Sequence, residues 1–202
     1  MQQHRALILR SNRFLGSSLV DKGLITSEDL EAASEKFMGM IQDPETIQNA
    51  SVLSTLLFDQ KTLEEAKLID LIVEECKIGL VDLSQIQLGS LRPINIDISD
   101  CQATWTLPFD VFDGTYMIAT CYYLSAPVIK FWEDQIEGDI IWYATSVAAM
   151  VRGLEHVQDL HDAEDQAAAE AAAEAAEEAA AAAARKAQLA AAEKSEETGE
   201  DT

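Results

Sequence analysis

The C-terminal part of the chain lacks the residues that a folded core needs. From Asp159 to Thr202 there is no aromatic residue, and Leu160 and Leu189 are the only large apolar side chains. Alanine and glutamate dominate there, and because both are strong helix formers we expect a single exposed or fluctuating helix over 167–194. Any hydrophobic core must therefore come from residues 1–158.

Acidic side chains dominate the charge of the whole chain. Its 202 residues include 36 acidic and 14 basic side chains, which gives a formal net charge of −22. The tail, residues 159–202, holds 13 of the acidic and 3 of the basic side chains, so the preceding part is acidic as well. Such a protein repels nucleic-acid phosphates, and we expect neither DNA nor RNA as a partner.

Residues 1–81 are predicted to form a helical subdomain. A short first helix begins near Phe14, because Leu15 and Leu19 share one helix face, and Gly23 predicts its left-handed end. A second helix follows, and the pattern of the two is typical of a helix–turn–helix unit.

The second helix has recognisable start and stop signals. Thr26 and Asp29 have the spacing of a capping box, in which each side chain binds the backbone amide of the other residue. Asp43-Pro44 predicts the end of the helix, because proline cannot continue it.

The apolar pattern of this unit recurs after a shift of 38 residues. The second copy has no glycine at the corresponding helix end, since Lys61 aligns with Gly23. Thr62 and Glu65 have the spacing of another capping box. We interpret the pattern as a degenerate duplication of the helix–turn–helix unit. Two unrelated helix pairs are the alternative.

Residues 82–158 are predicted to form a small α/β sandwich subdomain with helices on one side of a sheet. The candidate elements are a strand or extended linker over 91–98, a strand over 103–107 ended by Pro108, a turn at Asp113-Gly114, a strand over 116–122, a helix over 128–136, a strand over 139–144, and a helix capped at Thr145-Ser146 that runs to about Val157. The predicted fold class is therefore α+β, followed by the Ala/Glu-rich tail.

The α/β part is rich in aromatic residues. Alternation along the strands must turn some of them outward, and exposed aromatic side chains are common anchors of protein interfaces. Tyr123, Phe131 and Trp132 are the candidates for contacting a protein partner, and packing in the core is the alternative.

Candidates for catalysis or metal binding are weak. Cys76, Cys101 and Cys121 are too far apart in sequence for a clustered metal site, and the three histidines have no ligand spacing. Cys121 lies in an apolar strand, which predicts an inert, packed thiol. We therefore expect no catalytic residue, no metal site and no cofactor.

Hydropathy gives no sign of a membrane segment. No stretch approaches 18 apolar residues, and the apolar run near the start is too short for the core of a signal peptide. We therefore expect a cytoplasmic protein whose thiols are reduced.

Several short motifs together resemble the N-terminal domain of type II secretion and type IV pilus assembly ATPases. They occur in the order expected for that domain and extend over most of the chain before the tail. The matching segments are Leu15-Gly16, Gly23–Thr26, Leu107-Pro108, Asp113–Ala119 and Trp142–Ser146.

The resemblance implies a role in docking. In that family the domain precedes the motor and docks the ATPase onto cytoplasmic parts of a membrane platform. No Gly-x-x-x-x-Gly-Lys-Ser/Thr sequence occurs in this chain, so we expect no phosphate-binding loop. The predicted function is a non-catalytic protein-interaction or regulatory module whose partners are secretion or pilus platform components.

Some members of the family bind cyclic di-GMP through two copies of the opening motif. Here Phe14 takes the position of a basic residue, and the second copy has Val52, Ser54 and Lys61 in place of an arginine and two glycines. A cyclic di-GMP receptor is therefore the alternative function, and an oligomerising structural spacer is a weaker one. The residues that the resemblance assigns to the nucleotide are Arg13, Leu15, Gly16, Leu19, Val20 and Gly23.

Overall fold

The structure is a computed structural model that describes residues 2–42, 51–122 and 124–197, with side chains described for 6–42, 51–122 and 124–183. It divides into two compact units, Met1–Asp159 and Leu160–Thr202. The boundary predicted after residue 81, between the helical and the α/β subdomains, stays a prediction.

Helices and a small sheet make up the described chain. The helices are α1 (Gln2–Asp21), α2 (Ser27–Met40), α3 (Val52–Ser54), α4 (Glu65–Cys76), α5 (Ile98–Thr104), α6 (Ala126–Gln135) and α7 (Val147–Glu197). The strands are β1 (Gly79–Leu80), β2 (Thr106–Phe112), β3 (Thr115–Thr120) and β4 (Asp139–Ala144). Helices come first and a strand-containing part follows, which confirms the predicted α+β class.

The end of α1 has the predicted left-handed geometry. Gly23 has a φ of 68°. Its amide donates to the carbonyl of Val20, and the amide of Leu24 donates to the carbonyl of Leu19, both at 2.9 Å. This is a Schellman motif, in which the glycine allows the chain to reverse at the helix end. The helix itself begins at Gln2, well before the predicted start.

The capping box that opens α2 is confirmed. The amide of Asp29 donates to Oγ1 of Thr26 at 3.1 Å, and the amide of Thr26 donates to Oδ2 of Asp29 at 3.0 Å. The predicted helix stop at Asp43-Pro44 lies outside the described residues.

The second predicted capping box is wrong. The N-cap of α4 is Glu64, so Thr62 lies two residues before the cap position. Oε1 of Glu65 instead accepts a hydrogen bond at 2.7 Å from the amide of Val147, the first residue of α7. Ser146 also caps α7, as predicted, by accepting from the amide of Ala149 at 3.0 Å. Glu65 therefore joins the helical part of the chain to the start of α7.

Within the described residues the strands form one sheet in the order β1-β4-β3-β2. β2 and β3 are antiparallel, whereas β4 is parallel to both β3 and β1. α6 connects the parallel strands β3 and β4 in the usual way of a β–α–β crossover. β1 was not predicted, because two residues are too short for a strand pattern.

Two of the predicted strands are wrong or misplaced. Residues 91–98 contain a 3-10 turn at Arg92–Ile94 and the first residue of α5, which continues through 103 to Thr104. β2 runs past Pro108 to Phe112. Proline is tolerated in β2 because β2 lies at the edge of the described sheet, where a missing amide hydrogen costs no ladder bond.

Helices pack on both faces of the sheet, and the prediction of helices on one side is therefore wrong. Thr106 and Leu107 are consecutive in β2, so their side chains point to opposite faces. Oγ1 of Thr106 is 2.6 Å from Oγ1 of Thr104 in α5. Leu107 lies against Gly153 of α7, where an added Cβ would be 2.9 Å from Cδ2 of the leucine.

The last helix continues beyond its predicted end near Val157. α7 runs to Glu197, and its side chains from 162 to 183 are exposed. Alanine and glutamate propagate the helix without a buried stripe, because their intrinsic helix preference is high. None of the described helices combines the length and hydrophobicity of a membrane span.

Candidate functional site

The β2–β3 hairpin ends in a tight two-residue turn. Asp113 and Gly114 have φ values of 50° and 77°, and positive φ at both residues is the geometry of a type I′ turn. The turn predicted from the Asp-Gly pair is thereby confirmed. It pairs Phe112 with Thr115 and places both at the tip of the sheet.

Three apolar side chains lie together on one face of the sheet near this turn. Met117 of β3 is opposite Ile141 of β4, and Phe112 is diagonal to Met117 because its own partner is Thr115. Such positions are neighbours on one face of a sheet. Phe112 is 73% exposed and Ile141 is 44% exposed, while Met117 is partly buried. We name Phe112, Met117 and Ile141 the sheet patch.

The same face is covered at its other end. Leu107 and Ala119 are cross-strand partners on this face and are both fully buried. Leu107 lies against Gly153 of α7. Because the helix covers the end of the sheet that is far from the turn, the sheet patch is left exposed.

The outer edge of β2 is poorly suited to pairing with another strand. Pro108 has no amide hydrogen to donate, and a register irregularity follows it before Asp110. The amide of Val111, which points away from β3, donates to Oδ1 of Asp110 at 2.8 Å. Proline, irregular register and a charged residue are the features by which edge strands avoid pairing. A partner at this end of the sheet would therefore contact its face and not the edge of β2.

Acidic side chains flank the sheet patch. Asp110 is the cross-strand partner of Met117, and Asp139 is the partner of Thr115, so both aspartates lie on the face that carries the patch. Asp113 in the turn and Glu137, before β4, are exposed at the same end of the sheet. The arrangement is an apolar surface with a negative rim.

Of the predicted aromatic anchors the structure describes Phe131 and Trp132. Trp132 is fully buried, and its indole N–H donates to Oγ1 of Thr104 at 3.3 Å. Phe131 is partly buried and packs edge-to-face on Trp132, with ring centroids 5.7 Å apart. Trp132 is therefore a core residue, which corrects the prediction, and Tyr123 lies outside the described residues.

The residues assigned to cyclic di-GMP do not share one surface. Leu15 and Leu19 are fully buried on the inner face of α1, while Arg13 is exposed. Arg13 lies on the opposite side of the helix from Leu15, because residues two positions apart in a helix are separated by about 200° around the helix axis. Val20 is partly buried.

The two glycines of the opening motif have local structural roles. Gly16 is buried against α2, where an added Cβ would lie 2.5 Å from Cδ1 of Leu30. Gly23 ends α1 in the left-handed conformation described above. Both roles explain why glycine occurs at these positions without a ligand.

Arg13 lines a groove on the outside of the helical part. The groove has a volume of about 660 Å³ and is lined by Arg10, Arg13, Phe14 and Ser17 of α1 and by Pro127 of α6. Two guanidinium groups beside an exposed phenylalanine are chemically able to meet an anion.

A buried polar network joins the helical part to the sheet. Oδ1 of Asn12 accepts from the amide of Val52 at 2.9 Å and from the hydroxyl of Tyr122 at 3.2 Å. The hydroxyl of Tyr122 also shares a hydrogen bond with the hydroxyl of Ser51. Burial raises the pKa of Tyr122 well above its ordinary value, so the phenol stays protonated at neutral pH.

The three thiols are in environments that disfavour the reactive thiolate. Burial raises the pKa of Cys101 and of Cys121 well above the ordinary value for cysteine. Burial is also the main cause of the raised pKa of Cys76. Among the residues that the structure describes, no group of three or more histidine, cysteine, aspartate or glutamate side chains is placed to hold a metal ion.

Sequence reasoning missed the sheet patch. Val111 and Phe112 are adjacent apolar residues directly before the Asp-Gly turn. Strand alternation requires such neighbours to face opposite sides of a sheet, which was the available signal that they cannot both pack into one core. The prediction ended the strand at Pro108, and this signal was lost.

Comparisons with known proteins show similarity in solved structures alone. No protein-family model matches the chain, and no curated protein matches it. A structure of MshE with cdg is similar at a TM-score of 0.44 and 16% identity, covering 71% of this chain and 97% of that one.

Two structures of the N-terminal domain of XpsE are also similar. One has a TM-score of 0.45 and 14% identity, covering 69% of this chain and 90% of that one. The other has a TM-score of 0.44 and 13% identity, covering 72% and 94%. These neighbours are from ATPases of type II secretion and type IV pili, the class that the sequence motifs resemble. At these scores they assign neither ligand nor partner to this chain.

Proposed function

We propose that this protein is a non-catalytic protein-interaction module that docks through the sheet patch. The observation that carries the proposal is the exposure of Phe112 and Ile141 beside Met117 on a sheet face that α7 covers only at the end far from the turn. Burying such neighbouring apolar side chains against a partner removes them from water, and aromatic residues often dominate the binding energy of an interface.

The resemblance of the sequence motifs supports a role in secretion or pilus assembly. In this proposal the partner is a cytoplasmic component of the membrane platform, and the module has a regulatory or adaptor role in the cytoplasm. The protonated state of the buried thiols is consistent with binding, since a thiolate nucleophile would need a lowered pKa.

Affinity capture with matched baits tests the docking role. The full-length protein and its Phe112→Ser/Ile141→Thr variant are used to capture proteins from an extract of cells that produce this protein, followed by mass spectrometry. A platform component should be enriched by the unmodified protein and lost with the variant. Phe58→Ser is the control, because Phe58 is 48% exposed but lies in the helical part.

The control decides how a loss of binding is interpreted. A component that is lost equally with Phe58→Ser would indicate general hydrophobic adsorption. Enrichment of the same component by the sheet-patch variant would overturn docking through this surface. Circular dichroism and urea unfolding of each variant would show that it is folded.

A cyclic di-GMP receptor is the second candidate function. The groove that contains Arg10 and Arg13 favours it, while burial of Leu15 and Leu19 opposes the residue set that the resemblance implies. In titration calorimetry, micromolar cyclic di-GMP should release or absorb heat on binding to the unmodified protein. Arg13→Ala should abolish this heat, whereas the control variant Arg152→Ala should retain it. If the unmodified protein gives no heat, this candidate is removed.

A further inference from the structure

The charges around the sheet patch restrict the chemistry of its partner. Asp110 and Asp139 lie on the face of the patch, and Asp113 and Glu137 are exposed at the same end of the sheet. A partner that covers the apolar centre brings its own rim close to these carboxylates. Lysine or arginine on that rim is attracted, whereas acidic residues are repelled.

The same charges oppose a second copy of this chain as the partner. A two-fold interface through the patch would place the acidic rim of one copy against that of the other. Each copy also has a formal net charge of −22, which slows their encounter. A partner with basic residues fits better.

The blocked edge of β2 restricts the shape of the partner. Pro108 has no amide hydrogen, and the outward amide of Val111 already donates to Asp110. An added strand would lose pairing at both positions. A helix needs no backbone hydrogen bonds from the sheet and buries its apolar stripe directly against a sheet face, as α7 does at Leu107.

We propose that the sheet patch binds a basic amphipathic helix of a protein partner. Apolar side chains of that helix cover Phe112, Met117 and Ile141, and its lysines or arginines face Asp110 and Asp139. This inference rests on the proposed docking function and adds the charge and the secondary structure of the partner.

Designed peptides test this inference on the full-length protein. The probe is a fluorescein-labelled amphipathic helix of about 18 residues, with leucine on one face and lysine on the other. One comparison peptide replaces lysine by glutamate, and a second has the leucines and lysines in scrambled order. Fluorescence anisotropy measures the affinity from about 50 to about 300 mM salt.

The amphipathic lysine peptide should bind most tightly and should weaken as salt is added. Asp110→Asn/Asp139→Asn should reduce its affinity about three- to tenfold, and asparagine retains the oxygen that accepts from Val111. Phe112→Ser/Ile141→Thr should reduce it at least about tenfold. Glu31→Gln/Glu35→Gln removes the same charge from the exposed surface of α2 and should have a smaller effect.

Three results would overturn the inference. In the first, the scrambled peptide binds as tightly as the amphipathic lysine peptide. In the second, Glu31→Gln/Glu35→Gln weakens binding as much as Asp110→Asn/Asp139→Asn does. In the third, Phe112→Ser/Ile141→Thr leaves the affinity unchanged. If captured partners require Phe112 while the lysine peptide does not bind, the docking function stands and the basic helix is wrong. If neither the peptide nor any captured protein depends on the patch, both proposals fail.

Discussion

Gly23 and Lys61, 38 residues apart in the sequence, have the same left-handed backbone conformation, with φ values of 68° and 57°. Each follows a helical segment of the helical part, at the ends of α1 and of the π-helical turn Thr55–Asp59. The second copy of the predicted repeat has therefore kept the backbone turn after losing the glycine. This agreement supports the duplication inferred from the apolar pattern.

Lys61→Gly should stabilise the protein. A side chain in the left-handed region is strained by contact of Cβ with the backbone, and removing it should raise the free energy of unfolding by about 1 kcal/mol. Urea unfolding measures the change. Ala32→Gly, at an exposed position inside α2, should lower stability by a similar amount, about 1 kcal/mol. Destabilisation by Lys61→Gly would show that the lysine side chain has a stabilising role of its own.

Glu65→Ala should destabilise the start of α7. It removes the acceptor of the Val147 amide, and loss of a helix cap costs about 1 kcal/mol. Glu65→Gln keeps an acceptor oxygen and should cost less. Urea unfolding and hydrogen exchange of the Val147 amide check both effects, and Glu74→Ala, at an exposed position in α4, is the control. Unchanged exchange in Glu65→Ala would contradict the capping role.

Tyr122→Phe should weaken the junction between the helical part and the sheet. It removes the hydroxyl that bonds to Asn12 and Ser51 in the core, and leaving buried partners unsatisfied costs about 1–3 kcal/mol. Urea unfolding at neutral pH measures the cost. A change within experimental error would mean that Asn12 and Ser51 find other partners.

Tyr122 should also make stability depend on alkaline pH. Burial raises its folded pKa above the ordinary value of about 10, while the unfolded chain releases the phenolic proton near that value. Above this pH the folded state binds more protons than the unfolded state, so stability falls as pH rises. Burial also raises the pKa of Cys101 and Cys121, so these thiols likewise make stability fall as pH rises. The slope should be shallower in Tyr122→Phe, and equal slopes would contradict the assignment to Tyr122.

Gly16→Ala should destabilise the contact between α1 and α2. The added methyl group would lie 2.5 Å from Cδ1 of Leu30. Overpacking a core typically costs about 1–3 kcal/mol, of which the higher helix preference of alanine offsets about 1 kcal/mol, so the net cost should be about 1 kcal/mol. The same substitution should cost much less in a Leu30→Ala background, because the clashing atoms are gone. A double-mutant cycle of unfolding free energies measures this coupling. Equal costs in the two backgrounds would place the strain elsewhere.

The Ala/Glu-rich tail should not oligomerise the protein. Its side chains from 162 to 183 are exposed and contain no large apolar residue, so no seam is present there for a coiled coil. Sedimentation of the full chain and of a chain ending at Asp159 should show monomers in both cases. A dimer that disappears with the tail would support the spacer function instead.

The sequence by itself determined the features that depend on residues close in the chain. Thr26 and Asp29 form their box within a single turn of helix, Gly23 ends α1 by its own backbone freedom, and Asp113-Gly114 makes a turn because both residues tolerate positive φ. Side chains and amides within a few residues decide such structures, so the pattern alone predicts them.

Only the tertiary structure decided the features that join distant residues. Glu65 has the spacing of a local capping box, yet it caps α7 because the fold brings Val147 within 2.7 Å. Trp132 is buried in the hydrophobic core, where Thr104, 28 residues away in the sequence, accepts from its indole N–H. Pro108 is accepted in β2 because that strand lies at the edge of the described sheet. The exposure of the sheet patch also depends on tertiary structure. Packing between elements decides which part of the sheet face α7 covers, and no local sequence pattern contains that information.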